Sequence, residues 1–236
     1  LVSATNFGLH FLSFTKRSFR YYLANDEFKF FLLIILVTVV VSFATLYIKE
    51  GFTIENALRY GVFQTISIIT TTGFTLEPLT AMGNSVGFLI FVVAFIGACS
   101  GSVGGGMKVW RVLLMLKVGF SNMTKVIHPS AVNSVKLNGE KIVSSQIEAV
   151  FAFIAIYITF FLFFLFVLVF QDVDFYSAFS GTAAAINNLG PGLGELSENY
   201  SGLTDVGKFT LTLAMIVGRL ELFGVLILMV PSFWKN

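Results

Sequence analysis

The sequence predicts an all-α integral membrane fold of two parallel helix–pore loop–helix repeats. The second spanning helix of the first repeat is broken by a Gly-rich loop. Three observations lead there. Hydrophobic residues make up 56% of the 236 residues and charged residues only 12%, roughly half the ~25% of a typical soluble domain. Phe alone occurs 28 times, more than a core of this size can hide from water. Two apolar stretches reach the ~20 residues needed to cross a bilayer. The same arithmetic excludes other classes. Cys99 is the only cysteine, which rules out a disulfide scaffold. A net charge of +2 without a long basic block disfavours nucleic acid as a partner, and the apolar content excludes disorder. The chain opens on Leu1 with no signal peptide before the first apolar run, so the expectation is a start inside a longer protein.

Taken in order, residues 1–27 place Lys16, Arg17 and Arg20 among Phe and Tyr, the pattern of a cytoplasmic or interfacial anchor. The first span runs from Phe28 to Ile48, with Lys29 near its start as its one charge. Thr53 to Ile69 reads as a short helix carrying Asn56, Arg59, Tyr60 and Gln64, followed at once by Thr70-Thr71-Thr72-Gly73-Phe74-Thr75. Apolar sequence from Ser85 to Cys99 then breaks at Ser100–Gly106 and resumes from Met107 to Val118. A connector, 119–148, leads to the second unbroken span, Ala149 to Phe170. Asp174 to Ile186 reads as another short helix, built mostly of small residues, before Asn187-Asn188-Leu189-Gly190-Pro191-Gly192. The last span, Lys208 to Val230, carries Arg219 and Glu221 in its middle. Helix is the default for every span, because lipid leaves the backbone no other partner. The expected units are therefore 1–27, 28–118, 119–148 and 149–236.

Charge bias sets the orientation. Lys and Arg concentrate in 1–27 and 107–148, whereas 171–207 holds Asp172, Asp174, Glu195, Glu198 and Asp205 with no Lys or Arg. Basic segments inside give both termini a cytoplasmic location. The connections 49–84 and 171–207 are too long for hairpins, and a short helix followed by a glycine-containing return is a re-entrant pore loop. Non-helical backbone at that depth is tolerated only where it is buried or lines a water-filled cavity.

The two halves repeat. Gly190 falls on Gly73 at an offset of 190 − 73 = 117, which also puts Thr182 on Thr65, Asn188 on Thr71 and Gly218 on Gly101. Both units enter the membrane from the same side, so they are parallel repeats around an axis along the membrane normal. That symmetry favours a channel-like pathway. The alternative is a secondary transporter of another small solute that uses the loops as a binding site. Intramembrane hydrolysis is not expected, since His10 and His128 lie outside every span and no His or Cys pair has metal-ligand spacing. Nor does Ser100–Gly106 make a phosphate-binding loop, because Met107 precedes Lys108.

The Thr-Thr-Thr-Gly-Phe run is similar to the carbonyl filter of potassium channels, whose loops replace the ion's hydration shell. Glycine permits the inward-facing backbone at least steric cost. Arg219 gains an address from the repeat: 219 − 117 = 102, level with Ser102. An arginine at a span centre costs ~2.5–3.5 kcal/mol on insertion scales, so it faces a cavity or a partner. The expectation is that its guanidinium donates to carbonyls of the Gly-rich loop. Glu221, two residues on, faces elsewhere and serves a neighbouring helix or a subunit interface.

Ile68-Ile69-Thr70-Thr71-Thr72-Gly73-Phe74-Thr75, the Gly-Ser-Val-Gly-Gly-Gly-Met-Lys stretch at 101–108, Asn187 to Gly194 and Gly218-Arg219-Leu220-Glu221 together resemble the TrkH-type (Trk/Ktr/HKT) potassium uptake proteins. The ending Pro231-Ser232-Phe233-Trp234 is similar too. The resemblance covers essentially the whole chain and matches the C-terminal half of the family, its third and fourth repeats. It implies potassium as the transported ion, with no resident cofactor. The filter would comprise Thr71, Thr72, Gly73, Phe74, Asn188, Leu189, Gly190 and Pro191, with potassium held at Thr71, Thr72, Asn188 and Leu189. Gly101, Gly104, Gly105 and Gly106 would form an intramembrane gating loop, with Arg219 as its latch. The resemblance also implies a bacterial inner-membrane homodimer, a cytosolic nucleotide-binding regulatory subunit of the TrkA type, and a missing N-terminal half. Two filter loops cannot enclose an ion, so this chain alone is not expected to conduct.

Overall fold

Five of the helix starts in this chain are written in their capping residues. Asn6 accepts from Gly8 N (2.7 Å) to open α1, Phe7–Thr15, and a short α2, Arg20–Ala24, follows. Asn25 accepts from Phe28 N (2.9 Å) at the head of α3, Asp26–Ile48, with Asp26 and Glu27 in its first turn, where acids oppose the positive end of the helix dipole. Thr53 caps α4, Ile54–Ile69. Next come α5, Asn84–Ala94, and α6, Val109–Ile127. A small hairpin pairs β1, Lys136–Leu137, with β2, Glu140–Lys141. Beyond it are α7, Ser144–Val169, then α8, Phe175–Ile186, capped by Asp174, then α9, Asp205–Arg219, capped by Thr204, and α10, Leu222–Met229. This computed structural model describes residues 1–128, 134–220 and 222–234.

Among the described residues, α3 and α7 are each long and apolar enough to cross a membrane, and α9 with α10 makes a third span if the bent pair counts as one. The sequence-predicted bounds of both pore helices and both unbroken spans hold to within five residues. The other two spans differ from expectation. The helix expected from Ser85 to Cys99 ends at Ala94. Gly97 lies at φ +72°, and Phe95 O, Ala98 N and Ala98 O bond instead to Met107 N, Gly105 O and Val109 N. The two limbs of the break thus satisfy each other's backbone. The last span is not one continuous helix either: α9 stops at Arg219, and α10 leaves it at 102°. Arg219 is therefore the last residue of a helix rather than its midpoint, where a cation meets the negative dipole end. Glu221 lies outside the described residues, and so does the expectation placed on it.

The core centres on α8. Its small side chains are buried along almost its whole length, between α7 and α9. Phe95, Phe161 and Phe179 pack edge to face, with ring centroids 5.5 and 5.3 Å apart, joining the root of the broken span to α7 and α8. The connector is tied beneath α3: Asp26 takes Lys117 Nζ at 2.9 Å and Asn138 N at 3.1 Å.

Candidate functional site

The two pore helices end at matching repeat positions, Ile69 and Ile186. Beyond them the backbone follows one path twice. Thr71 N bonds Ile68 O at 2.9 Å and Asn188 N bonds Ala185 O at 3.1 Å. Thr72 N bonds Ser67 O at 2.9 Å and Leu189 N bonds Ala184 O at 2.8 Å. Thr71 sits at φ 53° and Asn188 at φ 54°, with Gly73 at 81° and Gly190 at 100°. A β-branched residue in the left-handed region is strained by an order of 1–3 kcal/mol and persists only when its surroundings impose it. The C-terminal, negative end of each helix dipole opens onto its loop, an arrangement that favours a cation.

These surroundings are polar and buried. Thr70 Oγ1 bonds Ile66 O at 2.6 Å and shares a hydrogen with Thr72 Oγ1 at 2.8 Å. At the equivalent position Asn187 is fully buried, accepting from Tyr157 O–H at 2.8 Å and donating to Ala183 O at 2.9 Å. Asn188 Nδ2 donates to Met215 O at 3.3 Å. Tyr200 O–H donates to Gly190 O at 2.9 Å, and burial pushes this phenol up to about 12. The loops touch at Gly73, where an added Cβ would lie 2.3 Å from Leu189 O. Their equivalence ends at the side chains: Leu189 is 2% exposed where its counterpart Thr72 is exposed, and Phe74 is 71% exposed where its counterpart Pro191 is half-buried.

The broken span arrives directly beneath these loops. Gly105 N donates to Thr71 Oγ1 at 2.9 Å, and a Cβ on Gly105 would come within 2.2 Å of Asn187 O. A Cβ on Gly104 would lie 2.3 Å from Ala98 Cβ and 3.4 Å from Thr70 O, and one on Gly106 2.6 Å from Gly97 Cα. Only glycine lets this backbone lie against both loops. Arg219 Nη1 donates to Val103 O at 3.0 Å, one residue from the level that the repeat offset specifies. Lys108 Nζ donates to Gly104 O and, at 3.4 Å, to Ser102 O. Loop, Lys108, Gly218 and Arg219 line a cavity of about 250 Å³.

Gly104, Gly105 and Gly106 therefore gather with Arg219 under Thr71 and Asn187. Gly101 does not: at φ 67° it turns on the opposite limb, beside the Asn6 side chain. Sequence reading missed Glu27, which accepts from Ser100 N at 2.5 Å and Trp110 N at 3.1 Å. It also missed Lys108, Tyr157 and the strap of residues 3–7 against the loop. A carboxylate directly preceding a span whose one charge is Lys29 was the one available signal for Glu27, and it reads equally well as a first-turn acid.

Residues 1–236 match a family model described as TrkH, cation transport protein. The Trk system potassium uptake protein TrkH of Halomonas elongata is 38% identical over 236 residues, covering all of this chain and 49% of that protein. The protein of the same name from Escherichia coli K12 is 37% identical over 241 residues, with the same coverage. The crystal structure of the potassium transporter TrkH from Vibrio parahaemolyticus superposes with a TM-score of 0.92 at 37% identity, covering 99% of this chain and 50% of that one. The chain spans about half the length of the curated relatives it matches.

Proposed function

This chain belongs to the TrkH family of cation transport proteins, and from that premise we propose that it forms half of a potassium uptake pore. The observation that carries the reading is the paired left-handed backbone of Thr71 and Asn188, each at the mouth of a pore helix. Residues 28–118 and 149–236 act as two of the repeats around the pore, and the rest of a protein about twice this length supplies the others. Carbonyls of Thr71, Thr72, Gly73 and Phe74, with those of Asn188, Leu189, Gly190 and Pro191, replace the hydration shell of potassium. The ion enters down the helix dipoles and leaves past the Gly-rich loop.

In this reading the loop is the gate. Its tip, Gly104 to Gly106, lies under the filter, and the Arg219 guanidinium both holds Val103 O and opposes a passing cation. Both termini are cytoplasmic, as the charge bias favours, and the assembly is a homodimer in the bacterial inner membrane. The Lys-bearing 107–148 face is the docking side for a nucleotide-binding regulatory subunit of the TrkA type.

The deciding experiment expresses the intact protein in cells lacking potassium uptake systems. Rescue of growth at limiting potassium, with rubidium uptake exceeding sodium uptake, is expected. No rescue by a well-expressed, membrane-inserted protein overturns the reading.

A further inference from the structure

Glu27 is a carboxylate only 4% exposed at the head of a membrane-spanning helix. A buried charge is costly unless hydrogen-bonded, so what bonds it is informative. Both donors come from one loop: Ser100 N, on the limb leading in, and Trp110 N, at the start of α6 on the limb leading out. The N-cap residue of α6, Lys108, makes no side-chain cap. Glu27 supplies that cap from another helix, and an anion there also meets the positive dipole end.

The incoming limb is held a second way. Cys99 N donates to Ala4 O at 2.9 Å, Phe7 N to Gly101 O at 3.1 Å, and Val103 N to Ser3 O at 3.2 Å. Across the neck, Val109 N donates to Ala98 O at 3.0 Å. The tip, Gly104 to Gly106, has less backing: Gly105 O takes Ala98 N across the neck at 3.4 Å, and among the described residues its other partners are side chains, Thr71 on Gly105 N and Lys108 on Gly104 O.

We infer that Glu27 is a positioning residue that clamps both roots of the loop to α3, so that only Gly104 to Gly106 moves when the pathway opens. This rests on the gating reading above. Gln keeps the accepting oxygen, whereas Ala removes it.

The test uses the intact protein in liposomes without a regulatory subunit, comparing Glu27→Ala, Glu27→Gln and, as the control on the gate itself, Arg219→Ala. Basal rubidium flux per folded protein is expected to rise on the order of tenfold in Glu27→Ala, as for loss of a hydrogen-bonded charge, and to stay within about twofold in Glu27→Gln. A rise in Arg219→Ala with none in Glu27→Ala overturns the clamp and leaves the gate standing. No rise in either overturns the gating reading. A purely architectural Glu27 would lower yield without raising flux per folded protein. Should Glu27→Ala not fold, Glu27→Asp, one methylene short, serves in its place. A second readout is maleimide labelling of Cys99, buried beside Ser100, with any other cysteines replaced. Faster labelling in Glu27→Ala or Glu27→Asp than in Glu27→Gln is expected, and equal rates overturn the clamp.

Discussion

Gly105 donates its backbone N–H to the Thr71 hydroxyl across 2.9 Å, so the tip of the Gly-rich loop is bonded directly to the base of the loop that follows α4. The donor belongs to the proposed gate and the acceptor to the proposed ion cage. Displacing one alters the hydrogen bonding of the other, and the coupling is reciprocal by linkage.

Gly105→Ala probes that contact. Its Cβ would lie 2.2 Å from Asn187 O, too close for any real pair, so the tip must retreat from the filter. Basal rubidium flux in liposomes is expected to rise and dependence on the regulatory subunit to fall. Wild-type flux with normal yield would show that the tip does not occlude the pathway.

Gly73→Ser and Gly190→Ser are expected to differ. At Gly73, φ +81°, a Cβ would lie 2.3 Å from Leu189 O, whereas at Gly190, φ +100°, nothing stands within 4 Å. The first adds a backbone clash to strain and should collapse rubidium preference over sodium. The second adds only strain, on the order of 1–3 kcal/mol, and should lower preference less. Selectivity ratios from paired uptake assays decide, and unchanged ratios in both variants would remove the filter assignment.

Arg219→Ala removes the guanidinium from Val103 O and a positive charge from the cavity. Basal flux several-fold above wild type is expected, with Arg219→Lys intermediate because the charge remains while the planar fork is lost. Liposome flux at equal protein density measures both.

Tyr157→Phe leaves the Asn187 carboxamide oxygen buried without its 2.8 Å donor. Such a loss costs about 1–3 kcal/mol. The thermal midpoint in detergent should fall by a few degrees, and rubidium preference should weaken with it, because Asn187 immediately precedes the left-handed Asn188. An unaltered midpoint would mean that Asn187 finds another partner.

Much of this molecule is legible along the chain, because the determinants are local. Apolar runs of membrane length, the caps at Thr53 and Asp174 and the offset of 117 specify the helices and the internal repeat without reference to packing. Arg219 could be placed within a residue of its partner for the same reason: a parallel repeat carries one copy's depth to the other. The tertiary structure alone decided where the broken spans break. Ala94 ends its helix because carbonyls on one limb find N–H groups on the other, a choice between non-local partners that no helical periodicity records. It alone assigned Glu27, whose two donors lie 73 and 83 residues away. Its sequence neighbourhood describes an ordinary first-turn acid, and only folding delivers both limbs of a loop to one oxygen.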